Sequence, residues 1–356
     1  MEQKPFFSIV MPVYGVAHYL EKAIESIIKQ SFHDFELFLV DDCSIDGSLS
    51  ICEAYANKYE NIYCIHHNEN KGLSLSRNTG LEAVNGKYVW FPDSDDFFDL
   101  DLLEKVYQAL KAAETDLVVF GTIEEHYNID ESIHHIHKIK PSRAICMVQE
   151  EVRRQIINLE KSTLFGYAWN KFYRTDYLKK NNLFFEKITL IEDILFNVKY
   201  CKDIHTMNIL DICPYHYAKR NTNSLTTKFV PEYYQLHRKR IKLLAEEFEY
   251  WGMLTEEIKG VLGALFARYI FSALQRNCDK KSQMKIRSQV SWCKELFQDK
   301  LFIMLIPYGR TNGKLLKVLL FILRKRMAFV AVIVAHFINY IKNKRPMLFN
   351  VVKQKR

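Results

Sequence analysis

Through the first 120 residues, short apolar runs alternate with longer stretches whose apolar positions recur at helical spacing. "FSIVMPVY" leads into "AHYLEKAIESIIKQ", where Leu20, Ala23, Ile24, Ile27 and Ile28 fall at i, i+3, i+4, i+7 and i+8 and predict a helix with one buried face. The alternation continues with the strand "FELFLVDD", a helix over "SLSICEAYANKY", the strand "NIYCIHH", a helix over "LSLSRNTGLEAV", the strand "KYVWFPD", the helix "LLEKVYQALKAAE" and the strand "DLVVFG". Strands that are apolar throughout and separated by helices predict a mostly parallel sheet covered on both faces. In such sheets ligands sit outside the carboxyl ends of the strands.

Residues 121–150 alternate polar and apolar positions and predict an excursion with a β-hairpin. His135 and His137 share one face of that strand while His134 points away, which favours a solvated edge over a metal site. From about residue 230 the periodic stretches read as helices: "PEYYQLHRKRIKLLAEEFEYW", "LTEEIKGVLGALFARYIFSALQRN" and "SQMKIRSQVSWCKELF". The polar segment "NTNSLTTKFVP" places a domain change at residues 221–231, between an α/β unit over residues 1–225 and a helical region over residues 226–356.

Composition narrows the class. With 356 residues, 48% hydrophobic and 26% charged, the chain is globular and long enough for two parts, not disordered or fibrous. Its eight Cys form no C-x-x-C pair and read as reduced thiols of a cytosolic protein. The N-terminal "MEQKPFFSIVMPVY" predicts a first strand in place of a secretory signal. The net charge of +8 is a property of the tail: residues 301–356 hold twelve Lys or Arg and no Asp or Glu, which leaves 38 basic against 42 acidic residues, a net of −4, in the rest.

The chemistry gathers at strand ends. Asp41 and Asp42 close the second strand, and Asp93, Asp95 and Asp96 follow the fourth. Carboxylates crowded into one crevice raise each other's pKa unless a cation neutralises them, and helix capping calls for one acid per helix, not three. Asp46, Asp99 and Asp101 read as ordinary turn and cap residues. A carboxylate cluster at the mouth of a nucleotide-type sheet suggests Mg²⁺ or Mn²⁺ clamping a diphosphate. Arg77 lies one helix earlier, at the same end of the sheet if its helix starts near Gly72, where "NKG" offers a flexible approach for phosphate; by position alone an ordinary surface helix residue is an equal alternative. No G-x-G-x-x-G follows the first strand and no G-x-x-x-x-G-K-[ST] occurs, which argues against a dinucleotide oxidoreductase and a P-loop NTPase. Tyr14 can stack on a base or pack in the core. Glu192 and Asp193 open a helix running to Tyr200, where an acidic pair serves either the helix end or as a general base.

Taken in order, "SIVMPVY", "VDDCSIDGS", "NKGLSLSRNTGL", "FPDSDD", "WNKFYR" and "IEDILFN" resemble the inverting family 2 glycosyltransferases with the GT-A fold, over about residues 6–220. The resemblance implies a GT-A α/β fold followed by a helical C-terminal region. Pro12, Val13 and Tyr14 are similar to the segment that touches the nucleotide base, Asp42 to the acid that accepts a hydrogen bond from uracil, and Arg77 to an arginine that helps hold the donor. "DSD" is similar to the metal-binding D-x-D motif: Asp95 would ligate Mn²⁺ or Mg²⁺, Asp93 would reach ribose or a metal-bound water, Ser94 lies between them in the donor site, and Asp96 stands just outside. Asp193 matches the catalytic base, with Glu192 its neighbour. The implied reaction is a single displacement that inverts the anomeric linkage. Gly15 departs from the family's P-V-Y-N, which predicts a looser first loop.

The tail supplies a partner. "GKLLKVLLFILRKRMAFVAVIVAHFINYIKNKR" is apolar but is interrupted at Arg324, Lys325 and Arg326, and the run from Met327 to Ala335 is too short to span a bilayer. Lys314, Lys317, Arg324 and Lys325 fall within roughly a third of a helix circumference, which predicts a helix lying on an anionic membrane surface, apolar side down. A helix packed on its own domain or in a dimer is the alternative; nucleic acid is a poorer partner because the basic residues interleave with aliphatics, not stacking aromatics. The expected function is a metal-dependent glycosyltransferase in surface-polysaccharide synthesis, cytoplasmic and peripheral on the inner face of the cell membrane. It would use a nucleotide sugar, UDP being the expected nucleotide, and a glycan acceptor, lipid-linked on this reading. Transfer directly to polyprenyl phosphate and a catalytically silent binding protein are the alternatives.

Overall fold

The alternating pattern resolves in order into β1 (Phe7–Val13), α1 (Ala17–Ile28), β2 (Phe35–Asp41), α2 (Ser48–Lys58), β3 (Ile62–His66), α3 (Leu73–Ala83), β4 (Tyr88–Trp90), a two-residue β5 (Phe97–Phe98), α4 (Leu102–Ala112) and β6 (Leu117–Tyr127). The structure is a computed structural model that describes residues 4–188, 190–220 and 230–344. Further along come β7 (Ile133–Ile139), β8 (Ala144–Cys146), α5 (Gln149–Lys161), β9 (Lys171–Arg174), α6 (Thr175–Lys180), α7 (Glu192–Cys201) and β10 (Met207–Lys219). Among the described residues ten strands form one sheet in the order β3-β2-β1-β4-β9-β6-β10-β5, with β7 on β6 and β8 on β10.

The first half is parallel, as the pattern predicts: β3, β2, β1 and β4 run together, and all seven residues of β1 are buried. A strand covered on both faces needs apolar side chains in both directions, which is why it shows no alternation. The second half departs from a simple parallel sheet. β9 lies antiparallel to both β4 and β6, and β10 returns parallel to β6. β10 breaks register between Leu210 and Tyr215, where Pro214 cannot supply a ladder N–H. Residues 207–219 carry no strand expectation in the pattern, yet this strand organises the site.

On one face Leu20, Ala23, Ile24 and Ile27 of α1 and Leu103, Val106 and Leu110 of α4 pack with Phe7, Ile9 and Met11 into a single core. On the other, α3 rides so close to β1 that a Cβ on Gly80 would stand 2.2 Å from Val10 Cγ1. The expected hairpin is β6–β7, antiparallel, with His135 opposite His126 and His137 opposite Glu124; His134 and His137 are exposed, as on a solvated edge. None of the eight cysteines is in a disulfide.

The chain divides into two compact units, Met1–Leu225 and Thr226–Arg356. The domain change expected at residues 221–231 falls on residues 221–229, outside the described residues. The second unit contains α8 (Tyr233–Tyr250), α9 (Glu256–Asn277), α10 (Ile286–Leu296), α11 (Lys300–Leu305), α12 (Lys314–Arg324) and α13 (Ala328–Lys344). Here the tail expectation is corrected. The apolar segment is two helices, broken at Arg326, whose φ is +51°. The main apolar face of α12 (Leu316, Leu319, Leu320 and Leu323) is buried in its own unit, so it does not lie on a surface apolar side down.

Candidate functional site

β4 delivers the acidic loop. Its three residues are buried, Trp90 Nε1 donates to the Trp169 carbonyl (2.6 Å), and the chain emerges at Asp93. From there β10 holds the loop. The Asp93 N–H donates to the Tyr215 hydroxyl (3.1 Å), which donates to Asp96 Oδ2 (2.7 Å), while the Ala218 N–H donates to Asp96 Oδ1 (2.8 Å). Asp96 is thus a buried anchor of the loop; burial, with the Asp95 and Asp93 charges behind it, raises its carboxyl well above the usual range. Ser94 is buried between its neighbours. Asp95 faces outward with its side chain 45% exposed, 3.8 Å from the Arg220 guanidinium, and Arg220 Nη1 also donates to the Asp95 carbonyl (2.8 Å). Arg220 itself lies over the Tyr19 ring at 3.8 Å.

Arg77 is the largest departure from the surface-residue alternative. The side chain is 1% exposed, reaching from α3 between two acids: Nη2 donates to Asp93 Oδ1 (2.9 Å) and Nη1 to Asp193 Oδ1 (2.5 Å). The Phe185 ring lies 5.2 Å from the guanidinium carbon. A planar fork that binds two carboxylates at once fixes their separation. The guanidinium is therefore the cation that answers Asp93 and Asp193, as Arg220 stands by Asp95. Even so, burial lifts the Asp93 carboxyl to about 7 against the pull of Arg77, with Asp95 and Asp193 adding to the rise.

Asp193 enters from the first turn of α7. Its second oxygen accepts the Ala168 N–H (2.9 Å). Glu192, beside it, has a buried Oε2 with no hydrogen-bond partner, and burial together with the Asp193 charge raises its carboxyl to about 7. The loop that carries Ala168 is held from inside. Lys171 Nζ, fully buried, donates to the carbonyls of Leu164 (2.9 Å) and Tyr167 (2.6 Å) and to Asn170 Oδ1 (2.8 Å). Asn197 of α7 donates to the carbonyls of Phe165 (2.7 Å) and Tyr167 (3.0 Å). Burial pulls the Lys171 ammonium down to about 7. Lys171, Asn197 and Arg220 are site-building residues that sequence reasoning misses; the only signal is the placement of Lys171 and Asn197 inside "WNKFYR" and "IEDILFN".

The base-side residues gather at the end of β1 and β2. Asp42, 3% exposed, accepts from His67 Nδ1 (2.8 Å) and from the N–H groups of Lys71 (2.8 Å) and Gly72 (2.7 Å). Burial would raise its carboxyl, but these donors outweigh that and hold it below the usual range. Within "NKG" the Lys71 and Gly72 N–H groups are thereby taken by Asp42, and those two are not open to a phosphate. Pro12 and Val13 are buried, and of that segment Tyr14 is the one that presents its side chain, 55% exposed. Gly15 has φ +65°, and the loop it opens is braced by Ser44 Oγ on the Gly15 N–H (3.2 Å), Ser48 Oγ on Val16 (3.1 Å) and Asp46 Oδ2 on Ala17 (3.0 Å). The loop is therefore not left loose by the missing Asn.

A divalent cation in a phosphate-handling site is held by one or two carboxylates and completed by the phosphates and water. Asp95 offers a half-exposed carboxylate, and Arg77 engages only Oδ1 of Asp93, so the pair fits an ion that arrives with its substrate. Among the described residues no three His, Cys, Asp or Glu side chains converge as a ready cage for a resident ion.

Residues 8–181 match the family model described as Glycosyl transferase family 2. The chain is 30% identical over 223 residues to the uncharacterized glycosyltransferase EpsJ of Bacillus subtilis, covering 62% of this chain and 63% of that protein. It is 27% identical over 308 residues to the poly(ribitol-phosphate) beta-N-acetylglucosaminyltransferase TarS of Staphylococcus aureus, covering 85% of this chain and 50% of TarS. These alignments span less than two thirds of each relative. The crystal structure of S. aureus TarS 1–349 in complex with UDP-GlcNAc superposes with a TM-score of 0.62 at 22% identity, over 94% of this chain and 90% of that one, and so shares the fold, a GT-A α/β unit followed by helices.

Proposed function

Since residues 8–181 belong to glycosyl transferase family 2, we propose that the protein transfers a sugar from a nucleotide sugar, with UDP as the nucleotide, to a hydroxyl of a glycan acceptor with inversion at the anomeric carbon. The observation that carries this is the single buried guanidinium of Arg77 bridging Asp93 and Asp193, which ties an acid on the donor side to an acid on the acceptor side. TarS, named for transfer of N-acetylglucosamine to poly(ribitol phosphate) and crystallised with UDP-GlcNAc, supports a UDP donor and a surface-polymer acceptor. The acceptor in this reading is a polysaccharide of the cell surface, carried on a lipid while it grows.

Asp193 accepts the proton of the acceptor hydroxyl. The oxygen then attacks the anomeric carbon from the face opposite the leaving diphosphate, and one displacement inverts the linkage. Arg77 and the Ala168 N–H fix the direction in which Asp193 presents its oxygens. Tyr14 stacks on the base and Asp42 shapes the loop that meets it. Asp95, with Asp93, would hold Mn²⁺ or Mg²⁺, which when bound neutralises charge on the diphosphate. Calorimetric titration of UDP with Mn²⁺, with Mg²⁺ and with EDTA, on wild type and Asp95→Ala, tests the donor site. Metal-dependent binding lost in the variant is the expected result; binding indifferent to both metal and Asp95 would remove the metal from this reading.

A further inference from the structure

The outer face of α13 has no partner among the described residues. Phe329, Ile333, Phe337 and Tyr340 are 59%, 50%, 62% and 61% exposed, and at 100° per residue they fall in one stripe, while Ala328, Ala331, Val332, Ala335 and Ile338 face the unit's own core. The stripe runs for roughly 16 Å along the helix. At its start stand Arg324, Lys325 and Arg326, all exposed, and Val318 and Phe321 project from the outer side of α12 among Lys314, Lys317 and Lys325. A stripe of this kind on a protein surface marks an interaction site.

We propose that this face docks on an anionic lipid bilayer, with Phe329, Ile333, Phe337 and Tyr340 entering the headgroup boundary and the basic residues at the α12–α13 corner contacting headgroups. Charge selects the occupant. Residues 301–356 contain twelve Lys or Arg and no acid, so a second copy laid along the stripe would bring basic residues toward Arg324–Arg326 with no acid from this region to answer them. An anionic surface has no such penalty and gains about 1 kcal/mol per basic residue near it. None of the described helices is long and apolar enough to cross a membrane, so the contact is peripheral. Eight cysteines with no disulfide among them suit the reducing side, where the leaflet is anionic.

Co-sedimentation of the full chain with phosphatidylcholine vesicles, with and without phosphatidylglycerol, tests the surface, alongside Phe329→Asn/Phe337→Asn and Lys314→Glu/Lys325→Glu variants. Binding that requires phosphatidylglycerol, weakens with salt, and falls about tenfold or more in each variant is the expected result. Wild type indifferent to vesicles, or the Phe variant binding as wild type does, overturns the proposal. So does a shift from dimer to monomer in light scattering on the Phe variant without vesicle binding, which would give the stripe to a second copy. The surface belongs to the second unit and the nucleotide site to the first, so UDP titration of the same samples tells a failed docking face from a failed donor site, and a trypsin-digestion pattern like that of wild type shows that the helical unit of each variant folds.

Discussion

Arg77 and Asp193 concentrate what single residues decide here. Asp193→Asn keeps the shape but removes the proton acceptor, so kcat should fall by about 10²–10⁴ while the calorimetric Kd for UDP stays close to wild type; the melting temperature should drop as well, because Arg77 loses one of its two buried charge partners. Unchanged kcat would place the base elsewhere. Arg77→Ala leaves the Asp93 and Asp193 carboxylates without their shared cation and should destabilise the fold by about 3–5 kcal/mol in urea unfolding; Arg77→Lys, a point charge in place of a fork, should recover part of that. The raised acids also set a pH dependence. Asp93 and Glu192 titrate near 7 in the folded chain and near 4 when unfolded, so the folded state keeps protons that the unfolded state has released. Their contribution to stability is full at low pH and is lost as pH rises from about 4 through about 7. Thermal melts of wild type should show this fall, and a substitution of Glu192 by Gln should flatten it.

Among elements, the loop from Leu164 to Ala168 matters more than its irregular backbone suggests. It presents one N–H to Asp193, and that N–H is in place because Lys171 and Asn197 take up the loop's inward carbonyls. Lys171→Met keeps the length of the side chain and abandons three acceptors, each costing about 1–3 kcal/mol when left unpaired. Part of that cost should be avoided by the loop moving away, so the expected signature is a lowered melting temperature with kcat reduced and UDP affinity retained. Reduced UDP affinity with kcat intact would assign the loop to the donor instead. β10 works in the same manner on the acidic loop, where Tyr215 and Ala218 hold Asp96 and so set where Asp93 and Asp95 emerge.

At the scale of the molecule, the two units answer to different physics. The α/β unit is a sheet with helices on its faces, and its acids sit at strand ends. The helical unit depends on its last two helices: α12 and α13 both pack on α9, and α13 also on α10. Truncation after Asp299 would therefore expose the apolar sides of α9 and α10 and should give an aggregating, protease-sensitive product, measurable by light scattering and limited trypsin digestion. A soluble, resistant product would mean that the helical unit does not need its tail. The surface substitutions in α13 are for this reason the cleaner probe of membrane docking.

The sequence alone determined the order of strands and helices from β1 to the start of β6, the two-residue β5 excepted, the break into an α/β part and a helical part, and the acids that end β2 and β4 and open α7, because hydrophobic period and the position of an Asp after an apolar run are local properties. Strand direction is not local. That β9 turns antiparallel between β4 and β6, and that β10 comes back to hold the acidic loop, depends on pairing between segments up to 122 residues apart, which the local hydrophobic pattern leaves open. The burial of charge is equally nonlocal. Arg77 reads equally as a surface residue and as a donor-side cation until Asp193, 116 positions away, is brought against it, and Lys171 reads as one of many lysines until a loop's carbonyls close around it. A buried cation is stable only with its partners in place, and only the tertiary structure supplies them.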